Sequence, residues 1–311
     1  MSLTRLLDDK TSALRVFFDT ELPALRALRA SYRATRSHVL PTQRPEPQAE
    51  ARWGTLGAAI DHRLRWSLRA VQLRGRSVDA GISMAGEYAP VLERVGAELL
   101  DTIDELIVRE RLDDRSLPVI RARETEERLA RLAYVAALFE EVFRTGQVWS
   151  STALAQADGS LTLETLLRAV PDHEARDIVA MVERSRHGGL EALRAATTPE
   201  LVVLAPTFAG SADVAGADAD WIADRTLVDV KATLTPDKLP GKDIHQLAGY
   251  LLLDYNDDYR IERLGWYHAR NGALTVWETA EFLTLLGARD SLPRLRERLR
   301  AVLASRAARP R

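Results

Sequence analysis

Two carboxylates and a lysine stand close together in the segment Asp220-Trp-Ile-Ala-Asp-Arg-Thr-Leu-Val-Asp229-Val-Lys231. Asp229 and Lys231 are two residues apart, so on an extended strand their side chains project from the same face. Asp220 begins one strand, Asp224-Arg225 can form the turn, and the returning strand carries the D-x-K triplet. A hairpin of this length brings Asp220 close to Asp229. Two carboxylates can hold a divalent cation through oxygen. Such a cation polarises a phosphate, lowers the pKa of a bound water and stabilises the leaving oxygen. A lysine beside it positions the water and offsets the charge that develops on the phosphate. Taken alone, Asp229 and Lys231 also fit an exposed pair on an ordinary strand, and the upstream acid is what adds chemical meaning. Downstream, Gln246 and Tyr250 share one helical face at i and i+4.

These residues resemble the PD-(D/E)xK nuclease superfamily, in its RecB-like branch. The resemblance covers the acid at the strand start, the D-x-K triplet nine residues on, and the Gln-x3-Tyr spacing in the next helix. Ala219 stands where the proline of the motif name would be. The resemblance implies that Gln246 and Tyr250 line the active-site edge and touch the DNA backbone or the lysine. It also implies an earlier helix with a Gly-x3-His-like motif that adds a metal ligand. Here Gly57 is followed four residues later by Asp61, with His62 next to it, so Asp61 is the expected third acidic ligand. Pro206-Thr207-Phe208 and the Gly216–Asp220 stretch also resemble uncharacterised bacterial members. Many RecB-like relatives carry an iron–sulfur cluster, which needs cysteine, and this chain has none.

The elements that must position these groups can be read from periodicity. Residues 3–37 have the spacing of a helix or helical pair, and Pro41, Pro45 and Pro47 break it. Further helices are expected over 51–74 (with Leu56, Ile60, Leu64 and Val71 among the residues available for burial), 87–110 and 120–146. Shorter ones are expected over 160–195, interrupted at Pro171 and Gly188-Gly189. The texture changes near 200. Leu201–Leu204, Trp221-Ile222 and Thr226–Thr233 read as strands, 243–255 as a helix, and 262–269 with 273–278 as a hairpin across Asn271-Gly272. Helix returns over 279–304, and the tail SRAARPR is basic. The expected fold class is α/β: a restriction-endonuclease-like core with a small mixed sheet flanked by helices, and a large helical N-terminal or inserted region. The expected division is 1–199 helical, with 51–74 either in that region or part of the core, 200–285 nuclease-like core, and 286–311 C-terminal helix and tail.

Composition narrows the chemistry. With 46% apolar and 28% charged residues, the chain can bury a real core. The absence of cysteine removes disulfides, thiol nucleophiles and thiolate metal sites. Any metal must then sit on oxygen or imidazole, which favours Mg2+ or Mn2+. The net charge of −2 does not advertise a nucleic-acid binder, although a local basic groove can hide in a balanced total. Only four of the cations are lysines, Lys10, Lys231, Lys238 and Lys242, against 39 arginines. Against that bias a mid-strand lysine stands out. No apolar window is long enough for a membrane span, and the acids in MSLTRLLDDK do not suit a secretory signal. A cytoplasmic protein is therefore expected.

The expectation is a metal-dependent nuclease acting on DNA, in phage defence or DNA processing, alone or with a helicase or other defence or repair partner. Asp220, Asp229 and Asp61 would bind the metal, and Lys231, Gln246 and Tyr250 would complete the site. The alternative is a catalytically silent module of the same fold that binds DNA or scaffolds a larger complex. Several other residues have two readings. Asp218 is an alternate ligand or a loop carboxylate. His62 is a ligand or a helix-surface histidine. His245 points off the Gln246/Tyr250 face, and His268 reads as structural. Arg270 meets a phosphate or sits solvated in a turn. Arg63, Arg65, Arg69, Arg74 and Arg76 form a DNA track or a solvated face. Trp221, Trp266 and Trp277 read as core.

Overall fold

The N-terminal apolar spacing resolves into three short helices rather than one or two: α1 (Leu3–Asp8), α2 (Ala13–Glu21) and α3 (Leu25–Ala34). Ser12 separates the first two by capping α2, its hydroxyl accepting from the Arg15 amide at 3.0 Å. Pro23 precedes the third. This computed structural model describes residues 3–35, 40–46, 52–70, 73–186 and 188–307. Pro47, Val71 and the last four residues of the basic tail lie outside the described residues.

A long helical stretch follows: α4 (Trp53–Leu68), α5 (Ser77–Tyr88), α6 (Pro90–Arg109), α7 (Arg123–Thr145), α8 (Leu163–Arg168), α9 (Asp172–Ser185) and α10 (Gly189–Ala196). Helix α4 stops at Leu68, short of the expected residue 74, because Arg69 takes an extended conformation and its guanidinium donates to Val202 O at 2.7 Å. Helix α5 has no counterpart in the sequence reading. Its inner face, Val78, Gly81, Ile82 and Ala85, is small and weakly periodic. That smallness is what it needs, since a Cβ on Gly81 would lie 1.9 Å from Phe139 O of α7. Pro90 opens α6, where a missing N–H costs nothing. Gly146 ends α7 in the left-handed conformation.

The β-branched and aromatic segments after residue 200 form a five-stranded mixed sheet in the order β1 (Val202–Leu204), β2 (Trp221–Ala223), β3 (Thr226–Lys231), β4 (Arg263–His268), β5 (Ala273–Glu278). Strands β2 and β3 pair as a tight hairpin, Ala223 facing Thr226. Asp224 and Arg225 make its turn with φ of 43° and 60°, the twist that suits a two-residue hairpin. Strand β4 runs parallel to β3. A parallel neighbour requires a crossover, and α11 (Gly241–Leu253) supplies it. The Asn271-Gly272 turn, with Gly272 at φ 70°, returns the chain into β5. The expected single C-terminal helix is two, α12 (Thr279–Leu285) and α13 (Leu292–Ala307), parted at Gly287 with φ 79°.

The period-2 alternation of the strands splits the core in two. Trp221, Ala223, Val228 and Tyr267 face one way and pack with α4–α10. Ile222, Leu227, Leu264 and Trp266 face the other way and pack with α1–α3 and α11–α13. Each large side chain removed from water in these layers contributes about 1.5–3 kcal/mol. The chain is therefore an α/β protein with its sheet between helical layers, and the helices before residue 200 divide between the two faces. Trp221, Trp266 and Trp277 are core residues, as read from the sequence. Among the described residues no helix is long and apolar enough to cross a membrane.

Candidate active site

Strand β3 lies in the middle of the sheet, so both its faces are covered. Asp229 and Lys231 lie on the same face as Leu227, the face that packs on α11. Lys231 Nζ sits 2.7 Å from Asp229 Oδ2 and donates to Gln246 Oε1 at 3.1 Å. Gln246 Nε2 in turn donates to the Tyr250 hydroxyl at 2.8 Å. The i, i+4 spacing on α11 thus places both side chains in one line with the lysine. Asp220, just before β2, accepts from the Val230 amide at 2.5 Å through Oδ2. Its Oδ1 is 3.3 Å from the Arg65 guanidinium, which also lies 2.5 Å from Asp61 Oδ2 on α4. The structure thereby draws Asp61, Asp220, Asp229, Lys231, Gln246 and Tyr250 into one region, contributed by α4, β2, β3 and α11.

Burial dominates the electrostatics of this cluster. Burial pushes Asp61 well above the usual carboxylate range; Arg65 opposes the shift, while Asp220 and Glu140 add to it. Burial also raises Asp229 to about 7, against the pull of Lys231 and with help from Asp220. Burial would lower Lys231, but Asp229, Asp243 and Asp220 outweigh it and hold the ammonium above its ordinary value. Burial, with Asp229 and Asp220 beside it, keeps the Tyr250 phenol well above its normal range, so its proton stays on. Among the described residues no three carboxylate or imidazole groups are grouped closely enough to enclose a cation. Arg65 stands between Asp61 and Asp220, and Lys231 against Asp229. The donor chemistry nonetheless fits a hard divalent cation: every acid is an oxygen ligand, and Asp61 Oδ1 is buried with no hydrogen-bond partner.

One consequence can be measured without a substrate. The folded chain keeps Asp229 protonated up to about 7, whereas an unfolded aspartate loses its proton near 4. Between about pH 4 and 7 the folded state holds more protons, so this group's contribution to stability declines as pH rises through that window. If Asp229 is a metal ligand, saturating Mn2+ should flatten the decline, because binding needs the ionised carboxylate. Urea midpoints at pH 5 and pH 8, with EDTA or Mn2+, compared with Asp229→Asn, measure it. An identical pH response in Asp229→Asn and the unsubstituted protein contradicts the assignment.

Other residues depart from the sequence reading. His62 is not a helix-surface histidine: it is buried, with Nε2 2.7 Å from Glu140 Oε2. Glu140 continues to Arg144 at 2.5 Å, and Arg144 to Asp218 at 2.9 Å. Asp218 is thus a loop carboxylate held by Arg144. Glu140 and Arg144 were not singled out in the sequence, where their i, i+4 spacing on α7 was the available signal. His245 stacks on Phe18 with ring centroids 5.2 Å apart, away from the site. His268 is buried, 3.2 Å from the Tyr32 hydroxyl. Arg270 is neither solvated nor free for a phosphate, because both its terminal nitrogens bind Asp177, at 2.9 and 2.7 Å. The arginines after residue 62 are not a single exposed track either. Arg63 is fully buried on Glu126, Arg65 binds the two acids, Arg69 and Arg76 donate to carbonyls of β1, and Arg74 faces Asp101.

Two depressions lie along α4 on either side of Asp61. One, of about 440 Å³, is lined by Trp53, Gly54, Gly57, Lys231 and Thr233 among others. Trp53 is half exposed at its rim. The other, of about 620 Å³, is lined by Arg65, Trp66, Arg76, Phe143, Ala212 and Asp218 among others. Comparison of the chain with models of known families, with curated proteins and with solved structures finds no match.

Proposed function

We propose that the chain is a metal-dependent nuclease that hydrolyses DNA phosphodiester bonds, in DNA processing or phage defence. The observation that carries this reading is the hydrogen-bonded line from Asp229 through Lys231 and Gln246 to Tyr250, beside two further acids gathered at Arg65. Asp220, Asp229 and Asp61 would hold Mg2+ or Mn2+. The cation, when bound, polarises the phosphate and acidifies a coordinated water. Lys231 has three N–H donors. Asp229 and Gln246 engage two of them, and the third is free for the attacking water or a phosphate oxygen. The Lys231 side chain keeps 21% of its area exposed, which lets it reach the rim of the smaller depression. Gln246 orients the ammonium, and Tyr250 orients Gln246. Attack of the water oxygen on phosphorus breaks the bond to the leaving oxygen, which takes up a proton. Removing the ligand charge with Asp229→Asn should eliminate cleavage of labelled single- and double-stranded DNA in Mg2+ or Mn2+. Equal cutting by Asp229→Asn would exclude this site.

A second reading has its own support. Arg65 already neutralises Asp61 and Asp220, as a cation would. That favours a silent nuclease-fold module that binds DNA or scaffolds a complex. The same assay decides between the two: no cutting of any substrate by well-folded protein, with or without metal, selects the silent module.

A further inference from the structure

The larger depression is more than a surface dent beside the acids. It shares Arg65 and Asp218 with the charged network of the site, and its walls include Trp66, Phe143, Leu73 and Val78. One side of it is the segment from Ala205 to Asp218, where Ala212, Ala215, Gly216 and Ala217 have side chains too small to fill the space. The apolar and aromatic lining suits a flat heteroaromatic ring. The polar member that stands out is Arg76. It donates to Leu204 O at 2.9 Å, and among the described residues no carboxylate pairs with it. Burial, and then the charges of Arg65 and Arg69, lower its pKa. An uncompensated guanidinium between an apolar cavity and a second arginine is a place for an anion. One end of the ligand should therefore be a phosphate and the other a planar apolar body.

Its position along α4 gives the direction. The smaller depression touches α4 at Trp53–Gly57, Asp61 follows, and the larger depression touches it at His62–Trp66. From Gly57 to Trp66 a helix advances roughly 14 Å. Lys231 lines the smaller depression, and Arg65, which holds Asp61 and Asp220, lines the larger one. A nucleic-acid strand with its reacting phosphate at the acids would lay its neighbouring nucleotide in one of them.

We infer that the 620 Å³ cavity is a nucleotide-binding pocket, in which Arg76 holds a phosphate and the half-exposed Phe143 ring packs against the base of the nucleotide next to the cleaved bond. The assignment of the cleaved bond rests on the nuclease reading, whereas occupancy by a nucleotide does not. The binding test therefore uses metal-free protein in EDTA. Deoxyadenosine 5′-monophosphate should bind by calorimetry, and inorganic phosphate should bind at least tenfold more weakly, because it cannot use the apolar walls. Ala212 is exposed on the turn at Ser211–Val214, so Ala212→Trp can fill the cavity from its rim without entering the core. It should weaken the mononucleotide at least tenfold, as should Arg76→Ala. In the cleavage assay Ala212→Trp should raise KM severalfold. No binding of the mononucleotide, equal binding of phosphate alone, or unchanged binding by Ala212→Trp each overturns the pocket assignment. A protein that binds the mononucleotide but cuts nothing keeps the pocket and loses the nuclease.

Discussion

On the proposed nuclease reading, Lys231→Ala should lower the rate of DNA cleavage by on the order of 10²- to 10³-fold in kcat, the range lost when one preorganised electrostatic group is removed from a reacting centre. The physical basis is the short contact to Asp229 and the hydrogen bond to Gln246, which leave one donor to face the reacting groups. Alanine removes that donor and the positive charge together. The fold should survive. Asp229 already keeps its proton to about 7, and loss of the neighbouring ammonium raises that value further, so below pH 7 the buried acid is neutral rather than stranded as an ion. Single-turnover cleavage, with circular dichroism of the same preparation, separates the two effects. Lys231→Arg should not restore the rate, because a planar guanidinium cannot replace a compact ammonium between Asp229 and Gln246. Cleavage by Lys231→Ala at the rate of the unsubstituted protein would remove the lysine from the mechanism.

Arg270→Ala should destabilise the protein by about 3–5 kcal/mol, the cost of breaking a buried ion pair from one side. Arg270 is fully buried and holds Asp177 of α9 with two hydrogen bonds, while its Nε donates to Ala232 O at 2.7 Å. Alanine leaves the Asp177 carboxylate buried without its cation. Asp177→Ala should cost a similar amount, for it strands the guanidinium. The double substitution Arg270→Met with Asp177→Leu should recover much of the loss, because the penalty is that of an uncompensated charge rather than of a missing bond. Urea denaturation of the four proteins tests this. Single substitutions that each cost less than about 1 kcal/mol, the value of an exposed pair, would contradict the buried-pair account. The pair also matters to the site, since Ala232 directly follows Lys231.

The strand hairpin and the crossover helix were legible because their signals are local. Alternation from Thr226 to Lys231, turn residues at Asp224-Arg225 and Asn271-Gly272, and the i, i+4 pair Gln246/Tyr250 each depend on residues close in sequence. Helix α5 was illegible for the opposite reason. Its face is small so that α7 can approach closely at Gly81, and a small face carries little hydrophobic periodicity. The arginines between 63 and 76 looked alike in the sequence, yet each has a different partner, and those partners lie on α7, β1, α6 and the acids of the site. Arg270 was misread in the same way, because its partner Asp177 is 93 residues away.

The sequence by itself determined the chemical inventory, oxygen donors without thiols and one lysine on a strand two residues from an aspartate, and the order of strands and helix after residue 200; the parallel pairing of β3 with β4 came only from the structure. Local spacing and residue type suffice for the inventory and the order. Only the tertiary structure decided that Asp61 shares Arg65 with Asp220, that His62 is buried on Glu140, and that two depressions flank Asp61 along α4. It also divided the helices before residue 200 between the two faces of the sheet. These are long-range matters, because burial and charge pairing depend on which element lies opposite, and spacing along the chain carries no record of that.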